Sequence, residues 1–154
     1  MNTNDTAKTT LIQVFVQAVA GSPIRFSVDE KTLEIQHADI LSAVHPWAYG
    51  FVPHTNSADG DCLDCFIITG KPLTVAEIIE CQPIGYLEVW ENDESDHKLL
   101  ATLPNEQITL STQHKKILSH FMHTIFKNYP SIHLVVGELV PIQSIHTLQQ
   151  QTNP

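Results

Sequence analysis

Between Asp59 and Cys65 the chain reads Asp-Gly-Asp-Cys-Leu-Asp-Cys, three carboxylates and two thiols in seven residues. Two chemistries compete for such a segment. Hard cations such as Mg²⁺ take oxygen ligands and keep waters of their own, which suits Asp59, Asp61 and Asp64. A Cys-x-x-Cys pair suits Zn²⁺ or redox work. The aspartates are spaced i, i+2, i+5 where a loop enters a strand, so Asp59 and Asp61 face roughly one side. A turn then brings Asp64 back to share a cation with Asp59. Asp96, from a second acidic loop over Glu91 to Asp96, supplies a further oxygen. Two cations bridged by a shared carboxylate would acidify a bound water and clamp phosphoryl oxygens. A solvated acidic turn is the competing reading. An EF-hand is excluded, because the loop lacks the required glycine and the glutamate at its twelfth position.

The thiols admit three readings. Cys62 and Cys65 are half of a zinc site completed by Cys81 and His54, or a redox pair, or small buried fillers beside a strand. The pair does not open a helix of a βαβ unit, which weakens the redox reading, and the filler reading is preferred. His120 and His123 form an i, i+3 pair suited either to a metal or to an exposed helix face. Trp47 and Trp90 read as core or cleft walls.

These groups need a scaffold. Strand patterns cover Leu11 to Val19, Ile24 to Val28 and Leu33 to His37, the last two joined as a hairpin. An irregular segment of functional length follows from Ala38 to Leu63. Strands resume at Phe66 to Thr69, Ile78 to Cys81, Ile84 to Trp90 and Leu99 to Leu103. Ile117, Leu118, Phe121, Ile125 and Phe126 mark one helical face, with Ser111 or Thr112 as N-cap and Pro130 beyond the end. A strand from Ile132 to Val136 and a short helix from Ile142 to Gln150 complete the pattern. The fold class is mainly β (α+β): an OB-like five-stranded β-barrel with one or two flanking helices. One domain spans 1–154, with flexible tails expected at 1–8 and 149–154.

Composition narrows the function. The chain has 154 residues and a net charge of −9, with Arg25 its single arginine. No basic face is available to displace counterions from a nucleic acid, although metals can still attract a small phosphate. Three sparse cysteines suggest a reducing compartment. No apolar run spans a bilayer, and the segment ending in Ala18-Val19-Ala20 is a poor leader because Gln13 and Gln17 interrupt it. A cytoplasmic protein without nucleic-acid or membrane partners is expected.

Four blocks, Tyr49 to Thr55, Asp59 to Cys65, Gln82 to Val89 and Glu91 to Ala101, occur in the order and spacing of a known family. They resemble the soluble inorganic pyrophosphatases of family I. The resemblance implies an OB-like barrel, a homo-oligomer and Mg²⁺-dependent hydrolysis of pyrophosphate, with two or more Mg²⁺ per site and Mn²⁺ as an alternative. By the same resemblance Asp59, Asp64 and Asp96 would hold the activating metal, with Asp64 bridging to a second. Asp61 would be the general base, Tyr49 would hydrogen-bond near that base or the phosphate, and Lys98 would contact a phosphoryl oxygen. Glu91 stands where the family has a metal-binding aspartate. Arg25 replaces a phosphate-binding lysine, and Lys127 and His37 are possible substrate contacts. The departures are Cys62 for the signature's proline, Ser27 for an acid, His37 for an arginine, Gln17 for a glutamate and Phe126 for a tyrosine. Each lost charge-assisted contact costs ~1.5–3 kcal/mol, so a slow enzyme, or a weak pyrophosphatase-like binding protein, is the expectation these changes raise.

Overall fold

The computed structural model describes residues 10–56 and 60–141. Its strands in chain order are β1 (Ile12–Ala18), β2 (Ile24–Val28), β3 (Ile35–Ile40), β4 (Ala48–Val52), β5 (Leu63–Ile67), β6 (Ile78–Glu91), β7 (Glu94–Ser95), β8 (Lys98–Thr102) and β9 (Leu134–Pro141), with the helix α1 (Thr112–Phe126) before the last. Strands β1, β4, β5, β8 and β6 follow one another by hydrogen bonding, and β6 pairs back onto β1. That closure makes the five-stranded barrel and removes the exposed edges an open sheet would carry. Strands β7 and β9 extend β6, while β2 and β3 form a separate hairpin.

Both faces of the barrel strands are buried, which the period of two explains. On β1, Val14 and Val16 join Leu63, Cys65, Ile67, Leu99 and Ala101 in one cluster, while Phe15 turns the other way to Phe51 and Val28. On β5 and β8, Phe66 and Leu100 point outward and meet Leu118, Phe121, Met122 and Ile125 of α1. The barrel is therefore filled by one set of alternate side chains and covered by the helix and the hairpin on the other. Ser111 caps α1, its backbone N–H donating to His114 Nδ1 at 3.0 Å.

Several sequence boundaries move for physical reasons. The segment from Ala38 to Leu63 is not irregular throughout, since it contains β4. That strand, Ala-Tyr-Gly-Phe-Val, is buried at every position, so it shows no polar alternation to mark it. Leu33 belongs to the β2–β3 turn at φ 65°, where Asp29 Oδ1 accepts from the N–H groups of Lys31 and Thr32; β3 starts later and runs on to Ile40. The two strands expected around Pro83 are one strand of 14 residues, with a register shift between Pro83 and Gly85 absorbing the missing N–H. The strand expected from Ile132 begins at Leu134. The helix expected over Ile142 to Gln150, and both tails, lie outside the described residues.

Gly50 in β4 is required by close approach. A Cβ there would lie 1.8 Å from the Phe15 carbonyl oxygen, which is backbone and cannot move aside. We expect Gly50→Ala to cost more than about 4 kcal/mol, because the β1–β4 pairing must open. Urea unfolding measures it, and a loss within the range of an ordinary surface change would show that the barrel is looser than described.

Candidate active site

Strand register brings the polar residues together. Strands β5 and β8 are parallel with Cys65 opposite Leu99, so Asp64 and Lys98, each one residue earlier, lie side by side on the outer face of the barrel. Lys98 is buried, and its Nζ donates to Asp64 Oδ2 at 2.7 Å and to Asp96 Oδ2 at 2.9 Å. Tyr49 on β4 pairs with Phe66 and is also buried. The Arg25 guanidinium reaches across from β2 and stacks 3.8 Å over the Tyr49 ring. Its Nε donates to His45 Nε2 at 3.2 Å. Arg25, Tyr49, Asp64, Glu91, Asp96 and Lys98 thus share one cavity of about 160 Å³, walled by Phe66 and by the end of α1, including Phe126.

Its electrostatics follow from a count of charges. Three carboxylates face one ammonium and one guanidinium in a partly dry space. Burial alone would lower the Lys98 ammonium, but Asp64, Tyr49 and Asp96 together raise it well above its ordinary value. Lys98 is therefore a fixed positive charge. Burial, then a hydrogen bond with Asp96 and its charge, pushes the Glu91 carboxyl up to about 7. Burial, then the Asp64 charge, pushes the Tyr49 phenol far up, so it remains an O–H donor.

A separate, wider cavity of about 800 Å³, which shares no lining residue with the first, is lined by Asp61 and Cys62 together with Gln17, Ser27, the Asp29–Lys31 turn, His54 and Thr55. Asp61 is exposed on that side. The Cys62 N–H donates to Glu30 Oε1 at 2.9 Å, fastening the aspartate segment to the β2–β3 turn. The Gln17 amide donates to the Phe26 carbonyl at 3.0 Å. Ser27 and His37 are direct cross-strand partners in the hairpin, so the two departures there occupy facing positions. His37 is exposed and 3.5 Å from Asp39, and Lys127 follows the last residue of α1 on the surface. Neither lines the two cavities. Asp59 lies outside the described residues.

The thiols behave as fillers. Cys65 and Cys81 are buried in the barrel cluster, whereas Cys62 packs against the separate Phe15–Phe51 cluster. Burial raises all three thiols, Cys81 to about 12, which disfavours the thiolates zinc would need. No group of three or more His, Cys, Asp or Glu side chains suited to a metal occurs among the described residues. Sequence reasoning missed two residues of this region, His45 and Glu30. Neither has a local signal, since each acts on a partner 20 or 32 positions away.

The closed barrel with its covering helix defines the OB-like fold class, and a lysine between carboxylates with an arginine and a buried tyrosine beside it is a cluster of fixed charge suited to a polar ligand. The family model for inorganic pyrophosphatase matches residues 14–146. An inorganic pyrophosphatase of Mesorhizobium japonicum is 32% identical over 136 residues, 83% of this chain and 76% of that protein. One from Brucella melitensis is 36% identical over 93 residues, which span 59% of this chain and 52% of its relative. Among solved structures, an inorganic pyrophosphatase from Neisseria gonorrhoeae superposes with a TM-score of 0.81 at 25% identity, covering 92% of this chain and 88% of that one. The chain belongs to the inorganic pyrophosphatase family.

Replacing Lys98 by methionine tests the electrostatic core of the site. The variant leaves Asp64 and Asp96 facing each other without the ammonium between them, and in the absence of added metal it should lose about 3–5 kcal/mol at neutral pH. Two crowded carboxylates hold protons more tightly in the folded state, so the deficit should shrink as pH falls toward 4. Urea titrations at several pH values measure both, and a small, pH-independent deficit would contradict the arrangement.

Proposed function

We propose that the chain hydrolyses inorganic pyrophosphate to two phosphates with Mg²⁺. The observation that carries this reading is the Asp64–Lys98–Asp96 arrangement beside Arg25 and Tyr49. On this reading a hard cation is assigned to Asp64, Asp96 and Glu91, oxygen donors that line one cavity, although Asp64 and Asp96 are turned to Lys98 in this structure and would have to release it. Asp59 completes the proposed ligand set, as the resemblance implies. Divalent cations held there supply acidity to a water and neutralise phosphoryl charge.

The chain's own groups do the rest. Asp61, an exposed carboxylate lining the wider cavity, is assigned the proton from the attacking water, as the resemblance implies. The water oxygen bonds to one phosphorus as the bridging P–O bond breaks, and the bridging oxygen departs with the second phosphate. Lys98, a permanent cation, and Arg25, with its planar fork of donors, hold phosphoryl oxygens through both states. Tyr49 donates its O–H without risk of ionising. The buried walls of Phe66 and α1 restrict water and so strengthen these contacts. His37 and Lys127 contribute at most from the rim. Self-association belongs to the same reading, supported by exposed apolar side chains such as Ile40 and Val44. A cytoplasmic setting is supported by three free thiols. No helix among the described residues is long and apolar enough to cross a membrane.

The test is phosphate release from pyrophosphate with Mg²⁺, comparing the natural chain with Asp61→Asn. The natural chain should turn over, and Asp61→Asn should fall by roughly 10²–10⁴-fold with its fold intact. If the natural chain releases no phosphate above a blank with Mg²⁺ or Mn²⁺, the enzymatic reading is lost. Full activity in Asp61→Asn would remove that residue from the role of base.

A further inference from the structure

His45 is the most buried histidine of the described chain, at 1% exposure, and it sits outside the carboxylate cluster. Both ring nitrogens are engaged. Nδ1 lies 2.7 Å from the Ser22 carbonyl oxygen, which can only accept, so Nδ1 carries the proton. Nε2 is then a lone pair, and it accepts from Arg25 Nε at 3.2 Å. The tautomer is thus set by the Ser22 turn, and the turn is itself closed on His45: the His45 N–H donates to the Ser22 carbonyl and the Gly21 N–H to the His45 carbonyl. The ring packs against Phe121 of α1 at 5.0 Å and against Tyr49 at 6.1 Å. Burial, and the Arg25 charge beside it, lower the imidazole to about 4, so it stays a neutral acceptor at working pH.

The consequence falls on Arg25. A guanidinium has five donors, and an arginine reaching from a two-stranded hairpin would ordinarily lose much rotamer freedom on meeting a phosphate. Here one donor, Nε, is committed to His45, and one face of the plane is covered by Tyr49. Neither restraint takes a hydrogen bond from the terminal amino groups, which are left for the cavity that Arg25 lines with Lys98.

We propose that His45 is a positioning residue that fixes Arg25 for phosphoryl recognition, and that the Ser22–His45–Arg25 relay is a specificity element of this site. The link between the two side chains stands on geometry alone; its use in turnover rests on the proposed pyrophosphatase activity.

Because Arg25 is the only arginine in the chain, its Nε–Hε group gives a single, self-assigned NMR signal. In the unmodified protein that signal should be slow to exchange with water and coupled through the hydrogen bond to the His45 Nε2 nitrogen. Absence of that coupling, with fast exchange, overturns the proposal without any variant. Titrating inorganic pyrophosphate with Ca²⁺ should then shift the same signal; a signal that does not move at saturating pyrophosphate also overturns it, whether or not the chain is an enzyme. In steady-state hydrolysis with Mg²⁺, His45→Phe should raise KM about tenfold with a smaller change in kcat, the loss of one charge-assisted contact. His45→Gln, which offers an acceptor oxygen near the same point, should recover most of the loss. In an Arg25→Ala background His45→Phe should change KM by less than about twofold, since the residue it acts through is gone. Equal factors in both backgrounds would mean that His45 serves only the core.

Discussion

Burying an ammonium is among the costlier acts a small domain performs, and the site of this protein is organised around one. Lys98 leaves water on the outer wall of a barrel and is compensated by Asp64 and Asp96, at 2.7 and 2.9 Å. Such a group persists only where both partners are held in place, because an uncompensated charge there costs several kcal/mol. The parallel pairing of β5 and β8 holds the first partner, and the short β6–β7 ribbon holds the second. The closed barrel is what fixes those registers. A one-residue slip of β8 would carry Lys98 to the interior face and leave two acids behind.

The same constraint shapes the chemistry. With Glu91 added, the cavity holds one more acid than base, and burial, then Asp96 beside it, lets Glu91 retain a proton up to about pH 7, which offsets the excess. On the proposed reading a divalent cation would relieve it instead, and would free Lys98 to meet an anionic substrate. Fixed charge of this kind, lined on one side by apolar residues of α1, would on that reading stabilise developing phosphoryl charge.

How much of this could be read beforehand depended on whether a signal was local. The aspartate segment, the Asp96–Lys98 element and the helix with its Ser111 cap carry their patterns within a few residues, and these placed the family and the barrel. Strand β4 hid because all its positions are buried, so the polar marks that delimit a strand are absent. Leu33 misled because an apolar side chain occupies a turn, where it packs under the hairpin against Phe15 and Phe51. Pro83 looked like a break but sits at a bulge within a continuous strand. His45 was illegible for a different reason. Its role exists only through Arg25 and the Ser22 carbonyl, and nothing in the sequence ties those three together. The thiol pair was conspicuous in sequence and inert in structure, since its members face different clusters.

The central claim is that the carboxylates now holding Lys98 are the ones that receive a divalent cation. Mn²⁺ binding followed by electron paramagnetic resonance, in the natural chain and in Asp64→Asn, measures this without any substrate. The account predicts tight, stoichiometric Mn²⁺ in the natural chain and at least a tenfold loss of affinity in a folded Asp64→Asn. Equal Mn²⁺ affinity in the two proteins would contradict it, and would place any metal away from the site that the barrel builds.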